Sequence, residues 1–95
     1  MKLNLRQLAR GQSCTVRLQG CDGGGDTTVL AHIRRANIAG IGQKPCDLAG
    51  VYACHRCHEL IDGRAMVANL SRLEIDQAIL FALLRTLTIV NARLA

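Results

Sequence analysis

The chain has no tryptophan, one tyrosine (Tyr52), one phenylalanine (Phe81) and one proline (Pro45) among its 95 residues. Its core therefore has to be built from Leu, Ile, Val and Ala. Without aromatic rings set between the cations, a platform for stacking single-stranded bases is not provided. Acidic residues are also few: seven Asp and Glu stand against twelve Lys and Arg, a net charge of +5. No apolar run reaches the roughly 20 residues of a membrane span. Met1 to Gly11 mixes charged, polar and apolar residues and does not read as a secretory leader. The expectation is a soluble, cytoplasmic protein with no membrane contact.

Such a short chain makes one domain, 1–95, and buries only a modest fraction of its surface, so a cross-link is expected. The apolar residues collect at the two ends, and the stretch from Gly11 to Gly63 cannot fill a core by itself. A structural metal would organise it. The basic balance favours an anionic partner, with nucleic acid as the leading candidate. Ten of the twelve cations are arginines, which suit bidentate contacts to phosphate. Contact with the backbone of a DNA duplex is expected rather than reading of bases.

Five cysteines in a reducing compartment are better explained as metal ligands than as disulfides, and the odd number agrees with one left over. Cys14 and Cys21 form one pair; Cys54 and Cys57 form a Cys-x-x-Cys knuckle followed at once by His58. Four thiolates from two pairs suffice for a closed tetrahedral zinc site. Cys46 competes for the place of Cys14 or Cys21, or is a small buried hydrophobe.

A short amphipathic helix is expected over Leu3 to Arg10, with Leu5, Leu8 and Ala9 inward and Gly11 as a left-handed cap. Cys14 to Leu18 alternates in character, and Gly20 to Asp26 is a glycine-rich loop. Thr27 to Ile33 suits a strand, Gly40 to Pro45 a loop, and Asp47 to Ala53 a second short strand. The knuckle then enters a helix carrying His58 and Asp62, ended by Gly63. Ser71 and Glu74 form a capping box for a long helix over about 71–93. Its wide apolar stripe comprises Leu73, Ile75, Ile79, Leu80, Leu83, Leu84, Leu87 and Val90. Core packing is the simplest use for it, and a surface for a partner is the other.

His58 follows Cys57 directly and points elsewhere on the helix, which frees its imidazole for a second, open site. Asp62 lies four residues later on the same face, so the two side chains can hold one divalent ion, Mg²⁺, Mn²⁺ or Zn²⁺. Against this, Asp62 also suits a turn before Gly63, or a solvated acidic face with Glu59. His32 ends the first strand; a histidine there is either a satisfied edge residue or a base able to take a proton from water attacking phosphorus. His55 is a rival ligand inside the knuckle. Arg34, Arg35 and Arg56 are placed to hold flanking phosphates.

The segments Ala31-His32, Asp47-Leu48 and Ala53 to His58 resemble the His-Asn-His (HNH) motif of ββα-metal nucleases, and the cysteine pairs resemble the zinc-bound branch of that superfamily. A closer resemblance, over nearly the whole chain, is to the YbcO family of small prophage nucleases. It rests on Ala9-Arg10-Gly11, Val29 to His32, Lys44-Pro45, Asp47-Leu48 and Cys54 to His58. The resemblance implies an α+β fold: a zinc-stabilised ββα-metal core over about 12–66, flanked by an N-terminal and a long C-terminal helix. It implies His32 as general base, Asp47 in the central Asn slot orienting that base, His58 as ligand of the catalytic ion, and Asp62 where some members place a second ligand. The implied activity is metal-dependent cleavage of DNA in a bacterial host, in recombination beside a recombinase or another phage protein. Many HNH enzymes carry an acidic ligand just before the first histidine; here that residue is Ala31. A zinc-stabilised DNA-binding or adaptor module without catalysis is the alternative, and a protein-interaction module docking through the C-terminal helix is a third reading.

Overall fold

The computed structural model describes residues 4–34 and 46–94. Along these the order is α1 (Leu5–Leu8), β1 (Val29–His32), β2 (Gly50–Ala53), α2 (His55–Ile61) and α3 (Arg72–Leu94). This is the expected mixture of helices with a small sheet. The Gly40 to Pro45 loop and Arg35 lie outside the described residues. Among the described residues, no helix is long and apolar enough to cross a membrane.

Helix α1 is shorter than its amphipathic pattern suggests. Asn4 caps it, its side chain accepting the Gln7 N–H at 3.2 Å, and Gly11 at φ +80° ends the segment in the left-handed region. Ala9 is buried, whereas Leu5 and Leu8 are half-buried. The Cys14 to Leu18 segment is a turn rather than an alternating stretch: Cys14, Thr15 and Val16 are all buried, and Arg17 takes φ +60°. The glycine-rich loop then brings the chain back on itself. Gly24 sits at φ +83°, where a Cβ would lie 2.6 Å from the Cys14 nitrogen and 2.3 Å from the Thr28 hydroxyl. Only glycine allows so close an approach.

Strands β1 and β2 pair antiparallel, with Val29 opposite Ala53 and His32 opposite Gly50. Both strands are shorter than the expected Thr27 to Ile33 and Asp47 to Ala53. All four residues of β2 are buried, with β1 along one edge, the Thr15 segment on the other and α3 packed against the strand. The free edge of β2 is closed by side chains and a loop. Thr15 N–H donates to the Tyr52 carbonyl at 2.8 Å, and the Thr15 hydroxyl donates to the same oxygen at 2.9 Å. The Tyr52 N–H donates to the Thr86 hydroxyl of α3 at 3.2 Å, and the two threonine hydroxyls meet at 3.0 Å. Arg85 adds a bond to the Thr15 carbonyl at 2.8 Å. The first cysteine segment, the sheet and the long helix are thus joined by one buried polar network in which each partner is satisfied.

Helix α3 begins as its capping residues require, with the Ser71 hydroxyl accepting the Glu74 N–H at 3.1 Å. It packs through a narrower stripe than the sequence pattern suggests: Ile75, Ile79, Ala82, Thr86 and Val90 are buried, whereas Leu73, Leu80, Leu84 and Leu87 are exposed and Leu83 is half-buried. Small side chains at 82 and 86 let the helix come close enough to β2 for the Thr86 hydroxyl to reach the Tyr52 amide. A face of leucines would have held it away.

The network has a measurable counterpart. Thr86→Val keeps the shape but leaves the Tyr52 N–H buried without an acceptor, and is expected to destabilise by about 1–3 kcal/mol. Among the described residues the buried Tyr52 hydroxyl has no hydrogen-bond partner, so Tyr52→Phe is expected to be neutral or slightly stabilising. Denaturant midpoints of the two variants should move in different directions or differ clearly in size.

Candidate functional site

Two knuckles bring the cysteines together. In the first, the left-handed Arg17 turns the chain so that the Val16 and Arg17 N–H groups bond the Cys14 sulfur, and the Cys54 N–H bonds it from across the site. Leu18 then accepts the Cys21 N–H at 2.9 Å, and Gly23 N–H donates to Cys21 Sγ at 3.4 Å. In the second, Cys54 is the N-cap of α2, its Sγ accepting the Cys57 N–H at 3.4 Å. A cysteine therefore does at this helix start what a serine or aspartate usually does.

The four sulfurs of Cys14, Cys21, Cys54 and Cys57 all lie within 4.8 Å of one another, and all but Cys21 are buried. Cys21 and Cys54 Sγ are 3.8 Å apart, which matches the edge of about 3.8 Å expected for a tetrahedron with metal–sulfur bonds of about 2.3 Å. The hydrogen bond from the Cys57 thiol, helped by the backbone donors, pulls the Cys14 thiol well below its ordinary range. The same bond, and burial, push Cys57 up; burial is the main cause of the upward shift at Cys21. The cluster thus favours negative charge at one sulfur already, and N–H donors aimed at sulfur stabilise thiolates. Donor type, number and spacing fit a closed zinc site. Cys46 is exposed and lies outside the group, so among the described residues it does not replace Cys14 or Cys21. His55 is also elsewhere, exposed, with Nε2 at 3.1 Å from Glu59 Oε1.

A second constellation forms at the end of β1. His32 Nε2 lies 2.8 Å from Asp47 Oδ1, the imidazole largely buried and the carboxylate more open. Asp47 is not in a strand, as its sequence context suggests, but in a turn closed by Ala49 N–H to the Cys46 carbonyl at 2.9 Å, just ahead of β2. The turn directs the side chain to His32, whose strand partner Gly50 lies three residues on. A carboxylate can only accept, so Nε2 is the donor in this contact, and in a neutral imidazole Nδ1 would keep the lone pair. The His32 bond, followed by the charge of Arg6, holds the Asp47 carboxyl below the usual carboxylate range.

On α2, His58 Nε2 and Asp62 Oδ2 are 3.2 Å apart, one turn from each other, and both are partly accessible. Asp62 is the C-cap of the helix and also accepts from Arg64 at 2.8 Å. Among the described residues, the four cysteines are the only group of three or more side chains gathered closely enough to hold an ion; His58 and Asp62 offer two ligand atoms. Arg34 is exposed just past β1, while Arg56 lies against the glycine-rich loop, its Nε 3.2 Å from where a Gly20 Cβ would be.

Two residues have a place here that their sequence context did not single out. Arg6 Nε bonds Asp47 Oδ1 at 3.3 Å. With Arg10 it also lines a cleft of about 510 Å³ whose walls include Gly11, Asp26, Thr28 and Val29. Arg6 and Asp47 are separated by 41 residues, and no local pattern could have joined them.

With this geometry in view, the comparisons with known proteins are informative. A family model described as "Putative nuclease YbcO" matches residues 3–93. The chain belongs to the YbcO family. "Putative nuclease YbcO" of Escherichia coli (strain K12) is 50% identical over 62 residues, covering 64% of the chain and 65% of that protein. The protein of the same description from Enterobacteria phage 82 matches to the same extent. The match thus spans about two thirds of the length of these curated relatives. A solved structure of a bacteriophage protein from Escherichia coli K-12, described as putative, has a TM-score of 0.73 at 35% identity, covering 93% of this chain and 96% of that one. The family model and both curated relatives carry the nuclease description, and the phage association is that of the phage 82 relative and of the solved structure.

The cysteine cluster makes a direct prediction. The purified chain is expected to carry one zinc ion, measured by elemental analysis. Cys14→Ser or Cys57→Ser should lose the ion together with cooperative unfolding, whereas Cys46→Ser should keep both.

Proposed function

We propose that this YbcO-family chain is a metal-dependent DNA endonuclease of phage origin, built on an HNH-type ββα core, that hydrolyses phosphodiester bonds with little sequence preference. The observation that carries this reading is the His32–Asp47 pair at the end of β1, with His58 and Asp62 one turn apart on α2, the helix that follows β2. Asp47 fixes the imidazole with Nε2 protonated and Nδ1 free. His32 Nδ1 takes the proton from the attacking water, and the imidazolium that forms is stabilised by the Asp47 carboxylate. Asp47, held below the usual carboxylate range, is ionised at neutral pH.

His58 and Asp62 would hold the catalytic divalent ion. An imidazole nitrogen beside a carboxylate oxygen, both partly open to solvent, suits Mg²⁺, Mn²⁺ or Zn²⁺ completed by water and substrate oxygens. An ion held there would supply positive charge against the scissile phosphate and leaving oxygen. Asp62, which accepts from Arg64 at 2.8 Å, would share its carboxylate between that guanidinium and the ion. The four-cysteine zinc is structural and takes no part in the chemistry.

Arg34, Arg35 and Arg56 contact the flanking backbone in this reading, joined by Arg6 and Arg10 at the cleft. Contacts to phosphate position a protein without reading sequence, which accounts for the low specificity proposed. The phage setting of the relatives favours action in recombination, with a recombinase or another phage protein as partner. A second reading, a DNA-binding module without catalysis, is favoured by Ala31, which occupies the position of a common acidic ligand and is buried in β1.

Nicking of supercoiled plasmid with each of the three metals separates the two. The nuclease is expected to nick in at least one of them, and His32→Ala to lose about 10²–10⁴-fold in rate with DNA affinity unchanged. Binding without nicking by the unmodified protein would leave the DNA-binding module. In the salt dependence of duplex affinity, Arg6→Ala is expected to reduce the log–log slope by about 1.

A further inference from the structure

The side of α3 turned away from the core carries a pattern that its packing does not use. Leu73, Leu80, Leu87 and Leu94 recur every seven residues, with Leu84 between the second and third. These five are 68%, 56%, 37%, 65% and 55% exposed in that order, and Phe81 beside them is 57% exposed. At 3.6 residues per turn the five leucines are centred about 120° around the helix from Ile75, Ile79, Ala82, Thr86 and Val90. The helix therefore has two apolar stripes, one spent on the domain and one facing solvent.

We propose that this outer stripe is the interface of a homodimer, in which α3 of one copy pairs with α3 of a second copy as a short coiled coil. A seven-residue repeat is the spacing that keeps one seam of a helix against a partner helix. With leucine at every d position, the a positions are Gln77, Leu84 and Asn91. Leucines at d favour two strands, and polar residues at a restrict register and number of strands at some loss of stability. That combination belongs to a self-pairing helix rather than to one merely covering its own core. The area agrees. Taking about 200 Å² for a fully exposed large apolar side chain, the six side chains offer about 700 Å² per copy. A symmetric pair then buries about 1,400 Å², within the range of about 1,200–2,000 Å² of stable interfaces. The inner stripe stays on β2, so each copy keeps its fold. The inference is independent of the nuclease reading.

Sedimentation equilibrium of the zinc-loaded chain from low micromolar to millimolar concentration tests it. A mass approaching twice the 10.3 kDa of the monomer is expected. Leu80→Glu, which places a charge at the seam in both copies, is expected to weaken association by at least about 100-fold with zinc content and helical signal unchanged. Asn91→Leu is expected to act the other way, strengthening association or raising the number of strands, an outcome that misfolding cannot imitate. A protein that stays monomeric over the whole range, or whose dimer is unaffected by both substitutions, would overturn the proposal.

Discussion

Four sulfur atoms within 4.8 Å of one another are the constraint on which the rest of the fold depends. They come from a turn and loop before the sheet and from the start of the helix after it, segments with little apolar surface of their own. Thiols gathered this closely carry competing protons, visible in the opposite shifts of Cys14 and Cys57. A cation able to replace those protons relieves the conflict and ties the two knuckles together. The N-cap role of Cys54 adds to this, because one side chain both starts α2 and belongs to the cluster.

From that anchor the positions of the His and Asp residues follow. Cys57 and His58 are adjacent on α2, so fixing the sulfur inward sets the imidazole on a neighbouring, more open face, one turn below Asp62. On the other side, β2 runs directly into Cys54, and its pairing with β1 brings His32 opposite Gly50, next to the turn that presents Asp47. The Thr15, Tyr52 and Thr86 network then fastens the back of the sheet to α3. A chain with one tyrosine and one phenylalanine thus positions its polar side chains by sulfur and hydroxyl contacts more than by bulky packing.

The electrostatics divide the surface by task. Arg6 neutralises part of the charge on Asp47 from one rim of the cleft, and Arg64 does so for Asp62 on the helix. Both carboxylates therefore face a cation already.

Much of this was legible in the residues. The spacing of Cys14, Cys21, Cys54 and Cys57, the knuckle running into a helix, the i and i+4 relation of His58 and Asp62, and the Ser71 cap are local patterns, and local patterns follow from covalent spacing and helix geometry. Element ends were less legible: α1 and both strands are shorter than their propensities, since pairing and caps set limits that propensity does not know. The choice between Cys46 and the other cysteines, the reach of Arg6 to Asp47 across 41 residues, and the side of α3 that meets the sheet were decided by tertiary structure. Each depends on which surfaces meet in three dimensions. The last turned on the small size and hydroxyl of Thr86, which a hydrophobic pattern counts as an interruption and the folded chain uses as its point of closest contact.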